Sequence, residues 1–117
     1  DVIQWTYTSS PSANDEWSFS DIGGGYYHIL NRHSGKAMNV SGASTANAGN
    51  VVQWPITTAT NDDWQMVDLG TGYFRIVNRN SGKVLNVSGA STADGANVDQ
   101  WSWANVSQQQ FEMVSVP

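Results

Sequence analysis

The chain has 117 residues, a formal net charge of −5, charged residues at only 13%, and no cysteine. That length suits one ordinary domain with a single core. The acidic balance and the lack of Lys or Arg clusters argue against nucleic acid and against insertion into or binding of an anionic membrane, and the missing cysteines remove disulfides and thiolate metal sites.

No apolar run approaches the roughly 20 residues that a membrane-spanning helix needs. Ser, Thr, Asn, Gln and Gly are abundant, a balance that fits a neutral, hydroxyl-rich partner better than an ionic one.

In chain order the dominant feature is repetition. The stretch NVSGASTA occurs at Asn39–Ala46 and again at Asn86–Ala93, each time preceded by N-R-x-S-G-K and followed by N-V-x-Q-W. The period is about 47 residues. The first segment, 1–25, matches only the later half of a unit, with Val2-Ile3-Gln4-Trp5 standing where the second unit has Val51-Val52-Gln53-Trp54, and Trp17 where it has Trp64. Two complete units follow, over 26–72 and 73–117. A third whole unit needs about two dozen more residues ahead of Asp1, so the phasing implies either further chain upstream or a second copy that completes the structure.

Each complete unit reads as four short strands. In the second they are Tyr26–Leu30, Ala37–Val40, Val51–Trp54 and Trp64–Val67. Asn31-Arg32-His33-Ser34-Gly35-Lys36 supplies the left-handed and side-chain-bonded positions of a hairpin turn, and Asn78–Lys83 repeats it. The segment Ser41–Gly49 is too small and polar for a core strand and reads as a loop with one helical turn; its counterpart is Ser88–Ala96. Period-two alternation places Phe74 with Ile76, Leu85 with Val87, Trp17 with Phe19, Trp64 with Met66, and Phe111 with Met113 as core pairs. One unit cannot cover its own apolar face, so the units must pack around a common axis. A propeller needs at least four blades, which this chain is too short to supply. The expected architecture is all-β: a β-trefoil of three four-stranded repeats, the first incomplete at its N-terminus.

The Q-W signature at Gln4-Trp5, Gln53-Trp54 and Gln100-Trp101, each followed by an aromatic at Trp17, Trp64 or Phe111, together with S-G-K before an apolar-Asn-Val strand, resembles the ricin-type β-trefoil lectins. Within that group it looks most like bacterial carbohydrate-binding modules of family 13, which accompany secreted glycoside hydrolases. The resemblance implies a non-catalytic, extracellular module that binds a glycan or plant polysaccharide and is covalently linked to a catalytic domain. It also implies one sugar site per unit, made from an acidic residue ending the second strand, an aromatic on the third, and an Asn-Gln pair before the fourth. Carried over, the sites are Asn39, Trp54, Asn61 and Asp62 in the second unit, and Asn86, Trp101, Gln108 and Gln109 in the third. The first unit keeps Trp5, Asn14 and Asp15. An aromatic face buries the C–H side of a pyranose, while an amide or carboxylate beside it bonds the hydroxyls. Where the family has Asp this chain has Asn39 and Asn86, which lowers affinity and suggests that restoring Asp would raise it. Asp99, two residues before Trp101 on the same strand face, compensates in the third unit.

Plainer readings stand beside these. Trp5, Trp54 and Trp101 also fit a core role, Trp103 fits a rim role, and Asn39 and Asn86 also fit turn-bonding roles. The N-V-S tripeptides at Asn39, Asn86 and Asn105 match a short glycosylation pattern that arises often by chance. His28 and His33 lie on different segments, so no metal ligation is expected. The Asp62-Asp63 pair suggests a cation site or a paired-carboxylate catalyst, but adjacent side chains on an extended strand point opposite ways, and the first unit has Asp15-Glu16 and the third Gln109-Gln110 there, so the repeat favours a structural slot. No nucleophile–base constellation can be assembled, which argues against an enzyme. The competing class is a protein-binding trefoil that works through an exposed loop.

Overall fold

A computed structural model describes residues 1–7 and 13–115. Its strands are β1 (Trp17–Gly23), β2 (Tyr26–Asn31), β3 (Ala37–Val40), β4 (Val51–Trp54), β5 (Trp64–Asp68), β6 (Phe74–Asn78), β7 (Val84–Val87) and β8 (Val98–Trp101). The helical content among the described residues is single 3-10 turns. All neighbouring strands pair antiparallel in one eight-stranded sheet of order β4-β3-β2-β5-β6-β7-β8, with β1 on β2. Isolated bridges from Asn50 to Asp99 and from Ile3 to Asn97 bring its ends together, so the sheet curls into a nearly closed barrel.

The repeat is visible residue by residue. Leu30 pairs with Ala37 as Val77 pairs with Val84, and Tyr27 pairs with Trp64 as Phe74 pairs with Phe111. The N-R-x-S-G-K turns share one chemistry. Asn31 Oδ1 accepts from the backbone N–H groups of His33 (3.0 Å) and Ser34 (3.1 Å), and Asn78 Oδ1 from those of Asn80 (3.1 Å) and Ser81 (3.3 Å). Their amides reach back to the preceding fourth-strand turn, Asn31 Nδ2 to Asn14 O (2.9 Å) and Asn78 Nδ2 to Asn61 O (3.0 Å). Gly35 and Gly82 close the turns at φ 72° and 71°, where a side chain would be strained.

Val2, Ile29, Met38, Val40, Val51, Trp64, Ile76, Leu85 and Val98 form the core, with Trp17, Met66 and Phe111 packed against it. Every unit contributes, as a barrel built from units without private cores requires. Trp64 is wholly buried and donates through Nε1 to Met38 O (3.0 Å), so its one polar atom is satisfied. Two expected core residues are on the surface. Phe19 and Met113 are exposed, so the pairings Trp17 with Phe19 and Phe111 with Met113 do not hold. β1 pairs with β2 alone and is exposed from its second residue onward, so alternation there has no second layer to face. Beyond its bridge to Phe74, Phe111 leads into exposed, irregular chain.

Candidate functional site

The β3–β4 and β7–β8 ribbons set out two equivalent slots. Asn39 lies opposite Val52 and Ala37 opposite Trp54, so Asn39, Val52 and Trp54 share a face. Asn86 lies opposite Asp99 and Val84 opposite Trp101, which gathers Asn86, Asp99 and Trp101 in the same way. The Q-W tryptophans of all three units point outward, at 65% exposure for Trp5, 58% for Trp54 and 41% for Trp101. The aromatic twelve residues on from Trp5, Trp17, is half-buried, and its equivalent Trp64 is fully buried. Inside and outside are therefore divided between the two aromatic sets.

The polar halves of the slots differ. In the third unit Asn86 Nδ2 donates to Asp99 Oδ1 at 2.8 Å, with both residues buried. In the second, Asn61 Nδ2 donates to Asn39 Oδ1 (3.2 Å) and to Val40 O (3.0 Å). Asp62 and Gln109, carried over as sugar ligands, are turned inward. Asp62 Oδ2 accepts from the Thr57 N–H (2.9 Å) and Oγ1 (2.8 Å), while Gln109 Oε1 accepts from the Ala104 N–H (2.8 Å) and its Nε2 donates to Ser102 O (3.0 Å). Each pins the loop that follows its tryptophan by bonding that loop's backbone groups. Gln108 is half-buried on the turn Ser107–Gln109. Asn14 and Asp15 are exposed on the turn Ala13–Asp15 and, with Trp5, line a cleft of ≈ 970 Å³ that Gln53, Trp17 and Phe111 also border.

Trp103 is half-buried, with the Arg75 guanidinium 5.0 Å from its ring centroid, a cation–π contact.

The Q-W glutamines do work that the sequence did not disclose. Gln100 is fully buried; its Nε2 donates to Ser44 O (2.8 Å) and Ala46 O (2.9 Å), and its Oε1 accepts from Ser81 Oγ (2.7 Å). Gln4 Nε2 does the same for Ser91 O (2.7 Å) and Ala93 O (2.8 Å). Each glutamine thus anchors the S-G-A-S-T-A loop of the preceding unit in the cycle. The loop's own acceptor completes the joint: Asn47 Oδ1 receives Ser102 N–H and Oγ (2.9 and 3.1 Å), and Asp94 Oδ1 receives Thr6 N–H and Oγ1 (2.8 and 2.6 Å). Ser102 and Thr6 directly follow Trp101 and Trp5, so these two stacking candidates are braced by the neighbouring unit, whereas Trp54 is followed by Pro55, which has no N–H to donate. Thr6 and Ser102 after Q-W in the first and third units, and Asn47 and Asp94 in the loops, were the available signal.

The family described as ricin-type beta-trefoil lectin domain-like matches residues 13–101 and 68–116. The chain belongs to that family. Among curated proteins no significant match is found. Among solved structures, the designed threefold-symmetric protein ThreeFoil is similar over 97% of this chain and 80% of its own, at 46% identity and a TM-score of 0.94. The 1,3Gal43A exo-beta-1,3-galactanase of Clostridium thermocellum is similar at 35% identity and a TM-score of 0.89, over 94% of this chain but 24% of the galactanase. The ricin B-like lectin of Macrolepiota procera, solved with lactose, shares the fold at 22% identity and a TM-score of 0.78, over 92% of this chain and 74% of its own. This trefoil therefore has the β-trefoil architecture expected from its repeats, with the first of them partial within these residues.

Proposed function

We propose that this trefoil is a non-catalytic carbohydrate-binding module that takes a neutral glycan or plant polysaccharide in shallow aromatic-plus-amide slots, one per repeat. The observation that carries this reading is the outward presentation of Trp5, Trp54 and Trp101, each flanked by amide or carboxylate groups. An exposed indole otherwise costs free energy in water, and a pyranose C–H face recovers it. The third slot ranks first because Asp99 adds a carboxylate beside Trp101. Its ligand contacts are Trp101, Asn86, Asp99 and Gln108; in the second slot they are Trp54, Asn39 and Asn61, and in the first Trp5, Asn14 and Asp15.

The module works outside the cell, holding a linked glycoside hydrolase on its substrate. Support comes from the Clostridium thermocellum relative, where the similar region is a minor part of an exo-beta-1,3-galactanase. That makes β-1,3-galactan the first polymer to try. A glycan array followed by calorimetric titration with β-1,3-galactan oligosaccharides tests the proposal. Saturable binding without release of reducing sugar is the expected result. Silence across neutral glycans, with capture of a defined protein partner instead, would favour the protein-binding class.

A further inference from the structure

His28, Asp62 and Asp63 converge at the joint between β2 and β5. His28 Nε2 lies 3.3 Å from Asp63 Oδ1 and 3.7 Å from Asp62 Oδ1, and the three potential ligand atoms all fall within 4.8 Å of one another. The convergence follows from local structure. Tyr27 pairs with Trp64, which sets His28 beside Asp63, and Asp62 ends the 3-10 turn Thr60–Asp62, so its side chain escapes the alternation of an extended strand and turns to the same side as its neighbour. The expectation that Asp62 and Asp63 point apart does not hold.

Both carboxylates are held by their far oxygens. Asp62 Oδ2 is fixed by Thr57, and Asp63 Oδ2 receives Arg79 Nη1 at 3.2 Å, which leaves each Oδ1 directed at the imidazole. Asp62 is 0% exposed, and its Oδ1 is buried with no hydrogen-bond partner. A buried carboxylate oxygen left bare is costly, and a cation is one group that resolves it.

We propose that His28, Asp62 and Asp63 form a binding site for a divalent transition-metal ion of the zinc type. One imidazole nitrogen and two carboxylate oxygens suit such an ion, whereas calcium and magnesium prefer shells of oxygen alone. Bonds of about 2.0–2.2 Å put neighbouring ligands of a tetrahedral zinc roughly 3.4 Å apart, between the two distances observed from His28. The Thr57 and Arg79 bonds are the outer contacts that orient carboxylate ligands in such sites. The third unit has Arg75, Gln109 and Gln110 at the same positions, so the fold does not need the His-Asp-Asp set. Ligation would clasp the first strand of the second unit to its last.

The test is a zinc chloride titration of chelator-treated protein by calorimetry, with thermal unfolding followed by circular dichroism. One zinc per chain and a higher melting temperature are expected, with calcium chloride giving neither. His28→Gln and Asp63→Asn should weaken zinc at least about tenfold, with His33→Gln unchanged. His28→Arg, which copies the third unit, gives a second variant where His28→Gln fails to fold. Cobalt(II) should give visible absorption that His28→Arg abolishes. Absence of heat and of a melting shift, equal affinity in the His28 variants, or equal protection by calcium would overturn the site and leave a hydrogen-bonded imidazole–carboxylate cluster.

Discussion

Asn86 donates its amide to the Asp99 carboxylate across β7 and β8 at 2.8 Å, whereas Asn39, at the same place in the preceding unit, faces Val52 and accepts from Asn61. The two asparagines therefore have opposite hydrogen-bonding roles. Asn86→Asp would set two buried carboxylates against each other and remove the donor, so it should destabilise by about 1–3 kcal/mol rather than strengthen glycan binding. Asn39→Asp keeps the acceptor that Asn61 uses and adds charge-assisted acceptance for sugar hydroxyls, so binding should improve several-fold at little cost in stability. Melting temperatures and glycan titrations of the two variants check this; an identical response would mean that the Asn86–Asp99 bond carries no weight.

Trp101→Ala should weaken glycan binding by roughly 1–3 kcal/mol while the circular dichroism spectrum and melting temperature stay close to those of the parent. Trp101 is 41% exposed, and the bonds from Ser102 to Asn47 that brace it run through backbone N–H and the serine hydroxyl, which the substitution leaves in place. Unaltered affinity in a folded variant would move the third slot elsewhere.

Trp64→Ala should act in the opposite way, costing about 3–5 kcal/mol of stability through the cavity left at the centre of the core. The Met38 carbonyl also loses its donor. Denaturant unfolding measures the loss, and a midpoint within error of the parent would contradict the division of aromatics between core and surface.

The strands and turns were legible because the repeat states them twice: β3 and β4 run over Ala37–Val40 and Val51–Trp54 as the alternation indicated, and Asn31 and Asn78 cap their turns through the chemistry that N-R-x-S-G-K encodes. The outward face of Trp54 and Trp101 was left open by the pattern, since an aromatic beside Gln on a half-apolar strand fits either side. Phe19 and Met113 misled because alternation marks a face without saying whether anything packs on it. The meeting of His28 with Asp62 and Asp63 was hidden by the local backbone, because a single 3-10 turn at Thr60–Asp62 cancels the strand rule. The glutamine anchors were hidden by distance, since Gln100 reaches carbonyls more than fifty positions earlier, and no short-range pattern marks such a partner.

Gln100→Ala tests those anchors against its equivalent in the second unit. Gln100 is fully buried and bonds Ser44 O, Ala46 O and Ser81 Oγ, while Gln53 is exposed and uses its Oε1 to accept from Ser34 Oγ at 2.7 Å. Truncating Gln100 removes the donor from the Ser44 and Ala46 carbonyls and opens a void under the 41–49 loop, a combination expected to cost about 2–4 kcal/mol. Gln53→Ala, at an exposed position with one side-chain bond, should cost under about 1 kcal/mol. The local signature is specific as well. The Ala48 N–H donates to Gln100 O (2.9 Å), so its amide exchange should accelerate in Gln100→Ala as the loop lifts and stay slow in Gln53→Ala. Equal destabilisation by the two substitutions, or unchanged exchange at Ala48, would show that the loop is held by its own turns and by Asn47 rather than by the glutamine beneath it.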